Sequence, residues 1–99
     1  MNRFHEMTVF LAVAEARSFA AAARRLEMSA PTVTRSVAAL EHRLGVLLLV
    51  RTTRSLRLTE AGERYAADCR RILDDVEQAD DAAAGVMGAP RGALSITAP

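Results

Sequence analysis

The sequence has no tryptophan and no lysine, a single cysteine, and only four aromatic residues in 99. With Cys69 alone, no disulfide can form within the chain, so no covalent staple supports the fold. Few aromatics, and 20 alanines among the apolar residues, leave little surface to bury, and the core must be thin. A thin core in so short a chain is commonly completed by a second copy, so dimerisation is expected before any motif is read. There is no signal peptide and no run of about 18 apolar residues, from which a soluble, cytoplasmic protein is expected.

Catalytic patterns are lacking too. His5 and His42 stand apart from Cys69, no glycine-rich loop is shaped to cradle phosphate, and no set of ligands has metal spacing. Neither an enzyme nor a chain-borne cofactor or metal is expected. Cys69 falls on an apolar helix position and reads as packed rather than reactive.

What is present is a sorting of charge. The formal net charge is only +1, but residues 1–58 hold nine Arg against four Glu, whereas residues 59–89 hold three Arg against eight acids. The first half suits a polyanion and the second repels one. The exclusive use of arginine also fits bidentate contacts to phosphate and guanine, although GC-rich coding is the weightier explanation.

Periodicity then places the elements. Arg3 to Ala16 reads as a helix with Phe4, Met7, Leu11 and Ala14 on one face, and Val9, Phe10 and Val13 crowding its flank, so that it needs cover from two sides. Ser18 caps a second helix running to about Leu26. Ser29 caps a third, with Pro31 in its first turn, Val33, Val37, Leu40 and Leu44 inward, and Gly45 at the position after its end. Val46 to Val50, a polar turn Arg51 to Ser55, and Leu56-Arg57-Leu58 predict a small hairpin. From Thr59 a long helix carries Ala61, Tyr65, Cys69, Ile72, Val76, Ala79, Ala83 and Val86 at spacings of three and four, a coiled-coil seam expected to dimerise. A helix from Thr59 to about Met87 would reach roughly 40 Å, too far to pack wholly on its own domain. Arg91 to Thr97 alternates like a strand.

The segment Ser18 to Val37 has the pattern of two short helices crossing steeply. Ala22 and Ala23 are small where the helices touch, Leu26 and Met28 fill the angle, and Val33 and Val37 anchor the second helix. Glu27 is expected at the sharp turn in a left-handed conformation, at a cost of about 1 kcal/mol relative to glycine. With the inward residues fixed, steps of about 100° turn Pro31, Arg35, Ala38 and His42 outward, flanked by Thr32 and Thr34. Arg35 can bond guanine O6 and N7 together, and a Thr or Ala methyl can meet the methyl of thymine, so a major groove is the expected partner. Ser18 and Ser29 are first of all caps, and their hydroxyls can also receive a phosphate contact. In the hairpin, Arg54 with Thr53 suits a minor groove or phosphate. Arg51 is balanced between that role and pairing with an acid. The candidate DNA-contacting set is Ser18, Ser29, Ala30, Pro31, Thr32, Thr34, Arg35, Ala38, Arg51, Thr53 and Arg54.

The combination of AAARRL, S-x-P-x-V-[ST]-R, LEHRLG, RTTR and LTEAG, in this order and after a first helix, resembles the N-terminal region of LysR-type transcriptional regulators over residues 1 to about 89. The resemblance implies a mainly α fold, with a winged helix-turn-helix of three helices and a two-stranded wing over 1–58. It further implies a linker helix over 59–89 that pairs with a second subunit, usually antiparallel. Residues 90–99 would be a hinge and the start of an effector-binding domain. It also implies binding of double-stranded DNA at an imperfect inverted repeat as a dimer or tetramer, a small-molecule effector bound by that further domain, and contact with RNA polymerase. Two positions depart from the family: Ala30 stands where Gln is frequent and Leu49 where Phe is. The first removes a side chain that would read a base. The competing reading, from another class, is a helical protein-interaction module that does not bind DNA.

Overall fold

Among the described residues, side-chain oxygens set the starts of three helices. Ser18 Oγ accepts from the Ala21 amide at 3.0 Å, Ser29 Oγ from Thr32 at 3.2 Å, and Thr59 Oγ1 from Gly62 at 2.9 Å. The computed structural model describes residues 3–85, in the order α1 (Arg3–Ala16), α2 (Phe19–Leu26), α3 (Ala30–Leu44), β1 (Leu49–Arg51), β2 (Leu56–Leu58) and α4 (Glu60–Ala83). The expected strand over 91–97, the seam position Val86 and the hinge lie outside the described residues.

The turn between α2 and α3 closes as the sequence predicts. Glu27 sits at φ 57°, ψ 45°, while its amide donates to the Arg24 carbonyl and the Met28 amide to that of Ala23. This paired bonding satisfies the last carbonyls of α2 and holds a non-glycine residue in the left-handed region. Gly45 ends α3 in the same region at φ 73°.

α1 is the central helix, packed against α2, α3 and α4. Its most buried residues are Val9, Phe10 and Val13, the expected flank, all with no exposed surface, whereas Phe4, expected inward, is 54% exposed. Three covering helices widen the buried arc of α1 from Glu6 onward and leave Phe4, in the first turn, outside it. Ala22 and Ala23 of α2, Val33, Val37 and Leu40 of α3, and Leu48, Ala66 and Cys69 complete the core. Leu44 departs from its expected inward place: as the last residue of α3 it is exposed, on the rim of an open groove shared with Val46, Leu48, Ala61 and Tyr65.

α4 divides in two. In its first half Tyr65 meets Phe10 with ring centroids 5.5 Å apart, Ala66 and Cys69 are buried, and Ile72 and Leu73 pack on the core. Arg70 and Arg25 both reach the Glu15 carboxylate, at 3.4 and 2.7 Å, tying α4 and α2 to the end of α1. The Arg25 bond, against some desolvation, holds the Glu15 carboxyl below its usual range. Beyond Leu73, Val76 and Ala79 are exposed and Ala83 is at the helix end.

Burial pushes the Cys69 thiol up from its ordinary value near 9 to about 11. At pH 8 the thiolate population is then about a hundredfold lower than for an unshifted thiol. A thiol reagent is therefore expected to label Cys69 only at the rate at which the domain opens, and rapid stoichiometric labelling of the native protein would contradict this packing.

Candidate nucleic-acid interface

The outward face of α3 is built from its first turn. Ser29 Oγ and Thr32 Oγ1 lie 2.6 Å apart, and Arg35 Nη2 reaches Thr32 Oγ1 at 3.5 Å, so a short polar row runs along the helix N-terminus. Pro31, Arg35 and Ala38 are exposed, Thr32 and Thr34 half-exposed, and Ala30 leans on the core. The helix N-terminus adds partial positive charge to this face. Ser18 stands at the start of α2, where its hydroxyl is the cap.

The wing is an antiparallel pair with Leu49 opposite Leu58, Val50 opposite Arg57 and Arg51 opposite Leu56. At its tip the Thr52 amide donates to the Ser55 carbonyl at 2.9 Å, and Thr52 Oγ1 accepts from the amides of Arg54 at 3.2 Å and Ser55 at 2.9 Å. One hydroxyl thus folds the tip and leaves Thr53 and Arg54 exposed at its apex. Among the described residues Arg51 pairs with no acid, and its guanidinium carbon lies 4.6 Å from the centre of the Phe19 ring.

Three residues outside the candidate set hold the segment that leads into the wing, Glu41 from the recognition helix and Thr59 and Gly62 from the start of α4. Glu41, from the last turn of α3, accepts at Oε2 from the amides of Leu48 at 2.8 Å and Leu49 at 3.1 Å. Thr59 takes the other side, its hydroxyl donating to the Leu47 carbonyl at 2.7 Å and its amide to that of Leu48 at 3.0 Å. Gly62 lets α4 approach, since a Cβ there would lie 2.0 Å from the Leu48 carbonyl oxygen. Only the Thr-x-x-Gly spacing of the α4 cap hints at this clamp in the sequence.

The electrostatics follow from where the acids are used. Of the four Glu in the basic half, Glu6 pairs with Arg43 at 2.7 Å, Glu15 with Arg25 and Arg70, and Glu41 with the wing amides. Among the described residues no ion pair engages Arg35, Arg51 or Arg54. These three cations are exposed, as are Arg17, Arg24 and Arg57.

The expected dimer seam is only partly available. Cys69 is fully covered by its own chain, so it leaves the seam, and Ala61, Tyr65 and Ile72 are half-buried against the same core. The reason is that α1 uses the first half of α4 to close the domain. Val76, Ala79 and Ala83 remain on the exposed half that runs on.

Residues 4–63, more than half of the chain, match the model of the bacterial regulatory helix-turn-helix proteins of the lysR family. The chain belongs to that family. As a lysR-family domain it is 44% identical over 96 residues to the HTH-type transcriptional activator AaeR of Escherichia coli K12, covering 97% of this chain and 31% of that protein. It is 45% identical over 91 residues to the transcriptional regulator CrgA of Neisseria meningitidis serogroup B, covering 92% and 30%. The lysR-family domain superposes on CbnR_DBD in complex with DNA with a TM-score of 0.78 at 45% identity, over 83% of this chain and 94% of that one. On BenM_DBD bound to catB site 1 DNA the TM-score is 0.83 at 28% identity, over 86% and 94%. The chain spans about a third of the length of the full-length relatives it matches. No described helix is long and apolar enough to cross a membrane.

Proposed function

We propose that this chain is the DNA-reading and pairing part of a transcriptional regulator. α3 enters the major groove with Thr34 and Arg35 toward base edges. The wing tip brings Thr53 and Arg54 to the adjacent minor groove or its phosphates, and the caps Ser18 and Ser29 lie against the backbone. The observation that carries this reading is that Arg35 on α3 and Arg51 and Arg54 on the wing are exposed and enter no ion pair among the described residues, while three of the four glutamates of the same half are engaged by other groups of the chain. The DNA-bound states of CbnR_DBD and BenM_DBD support it.

The exposed half of α4 pairs two copies, so that two α3 helices address an inverted repeat. In the whole protein a further domain binds a small-molecule effector and the assembly contacts RNA polymerase. Dimers or tetramers are the working forms. The chain itself needs no cofactor, acts on no substrate, and works in the cytoplasm at the nucleoid.

Arg35→Ala tests the assignment. It is expected to weaken binding to the protein's own upstream DNA by about 1–3 kcal/mol per half-site and to relax preference at one base pair. If the dimer neutralises about six phosphates, log affinity falls with log salt at a slope near −5. Unchanged affinity in Arg35→Ala removes this residue from the reading face, and no DNA binding at any low salt favours a protein-interaction module instead.

A further inference from the structure

Phe19 is the first residue of α2, directly after the cap Ser18, and its ring is half-buried against the core. Arg51 is the last residue of β1. The 4.6 Å between guanidinium carbon and ring centre lies within the roughly 6 Å over which a π face attracts a cation. With Thr34, Val37, Ala38 and Glu41, the two line a cleft of about 140 Å³ between the start of α2, the outward side of α3 and the wing. The contact therefore holds this cation over Phe19 in a cleft that Thr34 also lines, on the border of the reading face, and not at the wing tip where Arg54 stands.

A guanidinium stacked through its flat face keeps its N–H edge available, so ring stacking and bidentate phosphate bonding do not compete. An arginine free in solvent loses rotamer freedom when it takes up a phosphate, whereas one already stacked has been ordered by folding. We propose that Phe19 is a positioning residue, its ring holding the Arg51 guanidinium where its N–H groups reach a DNA backbone phosphate at the border of the reading face. This rests on the DNA-binding reading above.

The test is fluorescence anisotropy of this chain on a labelled mixed-sequence duplex across a salt series. Thermal unfolding by circular dichroism is followed for each variant. Arg51→Ala is expected to weaken binding and reduce the salt slope by about 1 for each phosphate that the side chain no longer neutralises. Phe19→Leu is expected to weaken binding about two- to fivefold, Phe19→Tyr to bind as the parent does, and Phe19→Leu to have no further effect once Arg51 is alanine. An equal loss from Phe19→Leu with and without Arg51, or no loss where Arg51→Ala does lose, reduces the ring to core packing and overturns the proposal. Unchanged affinity and slope in Arg51→Ala overturn the phosphate bond itself; loss of binding in Arg35→Ala, measured alongside, then keeps the wider DNA-binding reading separate. Should Phe19→Leu unfold, Arg51→Lys serves, since it keeps the charge without the planar edge. It is expected to retain the salt slope with affinity about two- to fivefold lower, and parent-like affinity overturns the proposal.

Discussion

Gly62→Ala is expected to destabilise the domain by about 2–3 kcal/mol, the opposite sign to the gain of up to about 1 kcal/mol that the same change brings in an unconstrained helix. The sign is decided by one distance. A methyl at residue 62 would meet the Leu48 carbonyl oxygen at 2.0 Å and its carbonyl carbon at 2.9 Å, and both are backbone atoms that no rotamer change can remove. α4 or the Leu47–Leu48 segment must shift, and either movement disturbs the Thr59 bonds to the Leu47 and Leu48 carbonyls. Urea unfolding checks this through the transition midpoint at unchanged slope. A midpoint equal to or above that of the parent would show that the close approach is not present.

The second large effect belongs to Glu41. Truncating it to alanine removes the acceptor from two part-buried amides, those of Leu48 and Leu49. Bonds to a charged acceptor contribute about 1.5–3 kcal/mol each, and solvent reaching one freed amide offsets part of that, so a net loss of about 2–3 kcal/mol is expected. Glu41→Gln keeps an oxygen at the same reach and is expected to lose less. Hydrogen exchange at the two amides distinguishes the cause: in Glu41→Ala protection falls further at Leu48 and Leu49 than in the middle of α1, where the fall matches the loss of global stability. Uniform loss across the domain would mean that Glu41 contributes global stability and not wing attachment.

Glu41 and Gly62 also mark where the sequence stops being legible. Local signals carry far: the two serine caps, the left-handed Glu27, the glycine ending α3 and the polar wing tip all follow from neighbours within a few residues, and all are found. The outward turn of Pro31, Arg35 and Ala38 follows from helix geometry once Val33, Val37 and Leu40 are inward, and these three are buried. Meetings between elements carry no such local mark. Glu41 looks like any half-polar helix residue until Leu48 and Leu49 are brought over it, and Gly62 resembles a weak helix former until a carbonyl arrives where its side chain would be.

The long helix shows the same limit from the other side. Its apolar spacing is uniform from Ala61 to Ala83, yet half of that stripe serves the chain's own core through Phe10 and half stays exposed. Periodicity states that a face will be covered but not by what. Phe4 and Leu44 fail for a related reason, since an inward helix position near a helix end need not have a neighbour opposite it. Those failures do not touch the reading face, whose residues depend on α3 alone and on the clamp that orients the wing beside it.

Selection of bound duplexes from a random DNA pool by this chain addresses the central claim most directly. The expected result is an enriched motif of two half-sites in inverted repeat, with a strongly preferred guanine in each that loses its preference when Arg35→Ala is used for the selection. A pool that returns unenriched after successive rounds at low salt, or a motif that Arg35→Ala leaves unchanged, would contradict it.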